Sequence, residues 1–430
     1  MIKLRLVFLA YVLTLLVAVL TFNSPAAAQE YSLDDLYRIA LERAERIKMS
    51  EEDLYITERG KDKALAMLLP KLSAFGDYTR YSVDKSSASG FIIQPEDSTS
   101  WGLRLDQTLF LSGRELTAFK ISKENIEKSR HDLYAVREEY LLGVTSAYYD
   151  DLRAQKAVEI ARANVERLTR HRDAAAIRLK VGEVTKTALL RAEAELSGAQ
   201  AELVRAENGL KLTRTILARL VGLIGDYDLK ESVVKAETFE GRTLGSLKEE
   251  AIAERAEAKS LDLQKKVAGE QVRYARGAYW PTVSIEGVYR QKEEDPASSF
   301  TVEETTYGGL RLNFPFFEGG LRRAEVKEAE AKQRQSELIY EDLKKTINIE
   351  VENAYLDLIT QKEILKSLED RLTFARDNYN ATSKQFEFGL ANSIDVMDAN
   401  TLLVTSERQL ADLRLKRATG TLLTSIVSGQ

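Results

Sequence analysis

Residues 101–115, WGLRLDQTLFLSGRE, join two patterns of different period. Up to Leu109, apolar and polar residues alternate, which is typical of a β-strand with two unlike faces. A Ser-Gly pair at 112–113 ends the alternation, and a long charged segment with helical spacing follows. Residues 308–322, GGLRLNFPFFEGGLR, repeat this order 207 positions later. The sequence therefore predicts one strand–turn–helix unit that is used twice.

The repeat continues through the rest of the chain. Upstream, Pro70 matches Pro281 at an offset of 211, so the intervening loops differ in length by four residues. Because chance does not keep matching residues at a constant offset over such a length, we predict an internal duplication. Downstream, the matches at offset 207 are Ala147-Tyr148 with Ala354-Tyr355, Asp150 with Asp357, Gly182 with Gly389, and Gly222 with Gly429.

The two repeats have the same predicted order of elements: a helix, two strands, a long helix and a return helix. The domains are predicted at 1–28 (signal peptide), 29–222 (first repeat), 223–243 (linker) and 244–430 (second repeat). The predicted elements are first helices at Leu33–Leu69 and Leu244–Trp280, strands near 71–83, 100–111, 282–292 and 304–317, long helices at 114–181 and 321–388, and return helices at 185–222 and 392–428.

The long helices are predicted to pack on other helices as a coiled coil or bundle. No proline occurs between Pro95 and Pro281 or after Pro315, and an interior proline would cost about 3 kcal/mol. A helix of about 67 residues is about 100 Å long, which exceeds the width of a globular domain. Its apolar stripe must therefore be covered by neighbouring helices.

A glycine-centred turn is predicted between each long helix and its return helix. Gly182 and Gly389 suit the left-handed position after a helix C-terminus. Thr185 is the expected N-cap of the first return helix, and Asn392 or Ser393 that of the second. Each pair of helices is thus predicted to form a helical hairpin.

The four strands show apolar residues on one face and polar residues on the other. This alternation fits a transmembrane β-barrel, and it also fits a small soluble sheet that covers helices. Strand number favours the barrel, because four strands cannot close and an open edge is not tolerated in lipid. Two copies of the chain would give eight strands with a filled interior, whereas three would give twelve and leave a lumen. Aromatic residues that suit a membrane interface are Trp101, Tyr279, Trp280 and Tyr307.

The N-terminal segment has the form of a signal peptide. Lys3 and Arg5 precede an apolar run at 6–20, and three alanines ending at Ala28 follow. This pattern predicts export and cleavage after Ala28, with an uncleaved membrane anchor as the alternative. No other apolar run approaches the roughly 20 residues of a spanning helix.

Composition argues against several function classes. The chain has no cysteine, which excludes a disulfide framework, a thiolate metal site and a cysteine nucleophile. Its 62 basic and 67 acidic residues are interspersed, so nucleic acid is not an expected partner. The phosphate-binding glycine loop and the common hydrolase motifs are absent. We therefore predict no enzyme, no cofactor and no metal site.

The sequence resembles the TolC-like outer-membrane efflux and secretion channels of Gram-negative bacteria along its whole mature length. The segments that carry the resemblance are SLDDL at 32–36, LPKLS at 69–73, WPTVS at 280–284, FEGG at 317–320, the two Ala-Tyr pairs, and FGLANSIDVMDA at 388–399. Each is weak alone, but their order, the duplication and the signal peptide together are specific.

The resemblance implies a mainly α fold with a small β part. Long helical hairpins and two strands per repeat would trimerise into a 12-stranded transmembrane barrel in the outer membrane, continuous with a periplasmic α-helical barrel. Family members are passive exit ducts of efflux or type I secretion systems. The implied partners are two further copies of the chain, outer-membrane lipid, a periplasmic adaptor (membrane fusion protein) and an inner-membrane pump of RND or ABC type.

Asp395 and Asp398 are candidate residues of the channel entrance. They share one helix face just after the second hairpin turn. From spacing alone they are either carboxylates that complement the helix dipole or, in three copies, a ring that favours cations and raises some carboxylate pKa values. The resemblance implies the ring, because acidic residues at this motif line the periplasmic entrance in the family.

The resemblance also implies a gate that an Arg, a Tyr and an Asp hold closed. The corresponding positions here are Ala391, Phe386 and Ala188, so that lock is absent or replaced. We hypothesise a closed entrance held by packing that includes Phe386 and Phe388. The tip residues expected to dock an adaptor are Gly182, Glu183, Val184, Thr185, Gly389, Leu390, Ala391, Asn392 and Ser393, and the helix–strand junctions contain Pro70, Pro281, Gly319 and Gly320.

The alternative function is a periplasmic coiled-coil structural or adaptor protein without a transmembrane barrel. Adaptors usually carry lipoyl and β-barrel domains, whereas here the strands come only as two short pairs between helices. The sequence favours no substrate, and drugs, metal ions and secreted polypeptides all stay open.

Overall fold

A computed structural model describes residues 29–109, 112–231, 243–298 and 300–427, with side chains from Glu30 to Lys416. The predicted signal peptide and most of the predicted linker lie outside these residues. In chain order the elements are β1 (Gln29–Tyr31), α1 (Leu33–Arg43), α2 (Glu45–Ala66), β2 (Lys71–Arg80), β3 (Lys85–Ser86), β4 (Ile92–Gln94), β5 (Asp97–Leu109), α3 (Arg114–Lys180), α4 (Lys186–Val221), β6 (Tyr227–Leu229), α5 (Leu244–Glu254), α6 (Ala256–Arg276), β7 (Thr282–Asp295), β8 (Glu304–Asn313), α7 (Leu321–Glu387) and α8 (Ser393–Val427).

The chain forms two compact units that cut across the sequence repeats. One contains the described parts of 1–44, 140–239 and 356–423, and we call it the hairpin unit because both helix-to-helix turns lie in it. The other contains the described parts of 45–139, 240–355 and 424–430, and we call it the sheet unit. Each unit therefore takes part of its chain from each repeat. Within the described ranges, no helix is long and apolar enough to cross a membrane.

The sheet unit is built on a four-stranded antiparallel sheet in the order β2-β5-β7-β8. The registers bring together the residues that the sequence assigned to one apolar face. Leu72 pairs with Leu105, and Leu103 pairs with Tyr289. Ile285 pairs with Leu310. The predicted alternation is thus continuous across all four strands, and five of these six side chains are exposed in the single chain, the exception being the partly buried Tyr289.

The strand ends differ from the prediction at four places. The first strand ends at Arg80 instead of 83, the second begins at Asp97 instead of 100, and the third extends to Asp295. The predicted end at 111 lies outside the described residues. The fourth strand ends at Asn313 and not at 317, because Pro315 has no amide hydrogen to donate to a ladder.

The single first helix predicted in each repeat is wrong, because each is broken once. The breaks lie at Ala44 and Arg255, where the backbone is extended, with ψ of 119° and 133°. These residues are 211 positions apart, the same offset as the two prolines. Neither residue breaks helices by itself. Both are buried, so tertiary packing of the flanking helices decides the backbone here and overrides local propensity.

Both hairpin turns have the predicted conformation. Gly182 and Gly389 have φ of 77° and 79°, which confirms the left-handed positions. The Thr185 side chain accepts a hydrogen bond from the Ala188 amide and is the confirmed N-cap of α4. At the second turn Asn392 caps α8, since its side-chain oxygen accepts from the Ile394 amide at 2.7 Å.

The core of the hairpin unit lies where α1, α3 and α4 meet the parallel pair β1 and β6. Leu36, Tyr148 and Leu217 are fully buried in it. The Tyr148 hydroxyl donates to the Lys230 carbonyl, and the Tyr37 and Thr145 hydroxyls are 2.5 Å apart. The apolar residues Val144, Ala147 and Leu152 of α3 are buried here, as expected if neighbouring helices cover the apolar stripe of the long helix.

One carboxyl group is buried beside this core. Asp151 has no exposed surface, and its Oδ1 accepts from the Thr213 hydroxyl at 3.3 Å. Its Oδ2 has no hydrogen-bond partner among the described residues. Burial raises the pKa of Asp151, and this effect outweighs the opposing charge of Arg214. The folded state therefore holds a proton on Asp151 more tightly than the unfolded state does.

Replacing Asp151 with asparagine should stabilise the protein at neutral pH. Because the folded pKa is raised, wild-type stability falls as pH rises from about 3.9 to the folded pKa, and the loss persists above it. The variant has no such loss, so its free energy of unfolding in urea should exceed that of wild type at neutral pH. The difference should be about 1.4 kcal/mol per unit by which the pKa of Asp151 is raised, and it should shrink near pH 4.

Asp150→Asn is the matched control for this prediction. Asp150 is the preceding residue, half exposed and 3.1 Å from Arg153, so its loss should have little effect. Equal unfolding midpoints for wild type and Asp151→Asn at every pH would contradict the prediction.

Candidate functional site

The two hairpin tips are built alike, 207 positions apart. At the first, the Glu183 amide donates to the Arg178 carbonyl at 2.9 Å, and at the second the Leu390 amide donates to the Gln385 carbonyl at 2.8 Å. These bonds satisfy helix-end carbonyls and require a left-handed glycine one residue earlier. The duplicated glycine thus produces the same turn twice.

The predicted tip residues divide into exposed and packed groups. Leu390 is 80% exposed, and Val181, which directly precedes the predicted residues of the first tip, is 66% exposed, so each tip presents an apolar side chain. Val184 and Ala391 pack against a small buried cluster. The other predicted residues lie at the turns themselves, namely Gly182, Glu183, Thr185, Gly389, Asn392 and Ser393, of which Ser393 is buried.

Asp395 and Asp398 are both exposed on the first turns of α8. The Asp395 carboxylate accepts from the Asn392 amide at 2.9 Å, while Asn392 accepts from the Asp395 amide at 3.1 Å. This reciprocal capping is the local role that the spacing alone allowed. The predicted carboxylate ring stays a proposal, because it requires several copies of the chain to assemble. Within one chain Asp395 is engaged in capping, whereas Asp398 takes no part in these capping bonds.

Phe386 and Phe388, which the sequence grouped together, have opposite environments. Phe386 is 2% exposed and packs with Ala175, Ala192 and Val396 from three other helices. Phe388 is 79% exposed. The sequence could not separate them, because they lie on either side of a helix end where the 3.6-residue period stops. Of the two residues, Phe386 packs within the chain, and only Phe388 is exposed enough to contact another molecule.

Arg178 ties the first tip to the second, a contact that the sequence analysis did not predict. Its guanidinium donates to the Phe386 carbonyl and lies 4.9 Å from the centre of the Phe386 ring. It also pairs with Glu183 at 2.9 Å. Gly389 allows this close approach, because a Cβ atom there would lie 3.1 Å from the guanidinium.

A row of polar contacts continues from Arg178 along the facing helices α3 and α8, and we call it the polar seam. His171 Nε2 is 2.9 Å from the Ser393 hydroxyl. The Asn400 amide group donates to Asn164 at 2.8 Å, and Arg167 pairs with Glu407 at 3.1 Å. All members except Arg167 lie at heptad spacing, at 164, 171 and 178 on α3 and at 393, 400 and 407 on α8.

Buried polar residues at heptad positions commonly fix the register of packed helices at some cost in stability. That spacing is the signal that could have revealed the polar seam. Its direction is antiparallel, since Asn164 meets Asn400 and His171 meets Ser393. Ala188 and Ala391, which the resemblance aligned with gate residues, carry no group that could form an ion pair. Arg178, His171 and Phe386 make contacts between the two hairpins within the chain.

The junction residues lie in the sheet unit. Pro70 and Pro281 each directly precede a strand, β2 and β7. Gly319 and Gly320 have φ of 62° and 88° and lead into α7. Exposed aromatic side chains cluster in sequence around these junctions: Tyr279, Trp280, Phe314, Phe316 and Phe317. In the described part of the chain, no three His, Asp or Glu side chains are arranged to hold a metal ion.

Comparison with known proteins identifies the family of this chain. The sequence model of the outer membrane efflux protein family matches residues 36–223 and 247–421, one range in each repeat. Together these ranges cover most of the chain. The chain belongs to the outer membrane efflux protein family. It is accordingly a channel protein of the outer membrane and not an enzyme.

Curated relatives of this outer membrane efflux protein include proteins of efflux and of secretion. It is 23% identical to outer membrane protein TolC of Escherichia coli K12 over 423 residues, covering 92% of this chain and 83% of TolC. It is 23% identical to the alkaline protease secretion protein AprF of Pseudomonas aeruginosa, covering 88% of this chain and 80% of AprF.

Solved structures share its fold. The outer membrane protein VceC of Vibrio cholerae superposes with a TM-score of 0.81 at 18% identity, covering 92% of this chain and 96% of VceC. The likeness confirms the mainly helical fold with a small β part that was predicted for this outer membrane efflux protein.

Proposed function

We propose that the chain is a passive exit duct that works as a homotrimer, with a 12-stranded barrel in the outer membrane. It would serve a tripartite efflux or type I secretion system. The observation that carries this proposal is the four-stranded sheet, which has two unpaired edges and one continuous apolar face.

The edges of the sheet require partners. Strands β2 and β8 each pair on one side only. In lipid, unpaired amide and carbonyl groups cost several kcal/mol each, so an open sheet would not be stable there. Pairing β8 of one copy with β2 of the next removes every edge. Three copies supply the twelve strands of a barrel wide enough for a lumen.

The apolar face is bounded at both ends. Towards the loops the same face ends in charged residues, with Arg80, Asp97 and Asp295 in one row of the register. Towards the helices it ends near the exposed Trp280 and Phe316. An apolar band between polar and aromatic borders is what contact with outer-membrane lipid requires.

The helices also present surface that further copies could cover. On α7, Ile349 is 61% exposed and Phe374 is 71% exposed, although both are large and apolar. Such side chains are normally buried in coiled coils. The apolar residues at the tips, Val181 and Leu390, would contact a periplasmic adaptor. The energy for transport would come from an inner-membrane pump, since the sequence has no phosphate-binding loop.

Disulfide trapping between strand edges tests the trimer. The chain has no cysteine of its own, so any disulfide must join two introduced cysteines. Ala74→Cys on β2 is combined in turn with cysteine at Thr306, Gly308 or Leu310 on β8. Within one chain these strands are separated by three strand spacings, about 14 Å, which is beyond the roughly 7 Å limit of a disulfide. Every disulfide would therefore join two copies.

We expect one of these registers to give covalent dimers and trimers in outer-membrane fractions after oxidation. In the control, the cysteine on β2 is replaced by Leu103→Cys on β5. This pair should give no covalent dimers or trimers, because β5 is paired on both sides within its own chain. Failure at every register would contradict the closed trimer. Recovery of the protein only in the soluble periplasm would favour the coiled-coil adaptor instead.

A further inference from the structure

The polar seam contains one group that can change its charge near neutral pH. His171 is 6% exposed and lies between the two hairpins of the chain. Its Nε2 atom is 2.9 Å from the Ser393 hydroxyl, and its ring centre is 4.8 Å from that of Phe386. One imidazole thus contacts the last turn of α7 and the first residue of α8.

We propose that His171 is an acid-sensitive latch that joins the second hairpin tip to the first while the imidazole is neutral. Protonation places a charge in the buried contact and weakens it. The latch would act on the start of α8, the segment that contains Asp395 and Asp398.

The surroundings of His171 disfavour a positive charge. Ser393 is the first residue of α8, so the imidazole lies at the positive end of that helix dipole. Arg167, one turn earlier on α3, and Arg178, two turns later, are both cations on the same seam. The Phe386 carbonyl could favour a cation, but it already accepts from Arg178.

Charged and titratable groups on the helices packed against His171 do not offset this effect. On α7, Tyr379 packs against the cluster and burial raises its pKa, so it stays neutral. On α8, Asp395 caps the helix and Glu407 pairs with Arg167. On α4, Arg191 and Glu193 flank the buried Ala192 and have opposite charges. The carboxylates of the seam are thus already engaged.

The sign of the pH dependence follows from burial. Burial lowers the pKa of His171 below the ordinary value of about 6.5. The released state binds a proton more readily than the latched state, so acid favours release. Between pH 6.5 and the lowered pKa, each unit of pH shifts the released-to-latched ratio by up to about tenfold. Above about pH 6.5 the contact is at full strength.

Hydrogen exchange of the purified full-length protein tests the latch directly. Exchange of residues 389–400 is followed at about pH 7.5 and about pH 5, on either side of the ordinary histidine pKa, with correction for the intrinsic chemical rate. We expect faster exchange at the lower pH in wild type and no acceleration in His171→Gln, which keeps a neutral hydrogen-bonding group. His131→Gln replaces the chain's other histidine and should behave as wild type.

Two results would overturn the latch: no acceleration in wild type, or equal acceleration in His171→Gln. His171→Lys gives a second measurement, because its charge should accelerate exchange at about pH 7.5 as well. An effect on the entrance rests on the proposed function and is measured separately as conductance in lipid bilayers. If wild type conducts at no pH, the duct is contradicted while the exchange result still decides the latch.

Discussion

Replacing Gly102 with alanine is expected to abolish recovery of folded protein from the outer membrane. Gly102 lies in β5, the strand that pairs with both β2 and β7. A Cβ atom there would overlap the Tyr289 carbonyl oxygen and lie 3.0 Å from the Arg290 Cα and 2.8 Å from the Phe75 ring. Two of these three atoms are backbone of β7, so they cannot move without breaking the ladder.

The expected cost is above the roughly 1–3 kcal/mol typical of overpacking, because side chains alone cannot relieve the overlap. Gly76→Ala on the adjacent strand is the matched control. A Cβ there would meet only the Ser100 carbonyl, at 3.8 Å, which is ordinary contact. The measurement is the amount of heat-modifiable oligomer in outer-membrane fractions. Similar amounts for the two variants would disprove the assigned register of β5 and β7.

Replacing Phe386 with alanine is expected to loosen the second hairpin tip and raise resting conductance. The ring is almost fully buried and is contacted by His171, Arg178 and the cluster around Ala175. Truncating a buried phenylalanine typically costs about 3–5 kcal/mol. That loss falls on the contact between the two hairpins of one chain and should expose residues 384–392 to limited proteolysis.

Phe388→Ala is the control, since Phe388 is two residues away and largely exposed. It should leave the rate of proteolysis unchanged, whatever it does to conductance. Unchanged resting conductance in Phe386→Ala would show that packing at this residue does not hold the entrance closed. Equal proteolysis of the two variants would show that the burial of Phe386 is not what fixes the tip.

Local patterns predicted the features that depend on local chemistry. The left-handed glycines, the Thr185 cap and the apolar faces of the strands follow from residue type and period. The breaks at Ala44 and Arg255 could not be found in this way, because neither residue interrupts a helix and the decision lies in packing. The two breaks are 211 positions apart, which is the offset of Pro70 and Pro281, but the residues at the breaks differ.

The candidate site was predicted less completely than the fold. Its location followed from the glycine turns, but the contacts of Arg178 and His171 depend on which faces of different helices meet. Those faces are set by tertiary register, which a 3.6-residue period does not encode. Heptad spacing of polar residues in both partner helices is the feature of the sequence that could have revealed the seam.

The pairing of β5 with β7 has a consequence for how such a protein arose. Each repeat contributes one hairpin of strands, β2 with β5 and β7 with β8, and β5–β7 is the junction between them. If the proposed trimer is right, a half-length ancestor would have needed six copies to close a wall of twelve strands. Gene fusion would tether three of the six junctions covalently, at an effective concentration that free subunits do not reach. The two repeats could then diverge independently, as Asp151 on α3 and its counterpart Leu358 on α7 already illustrate.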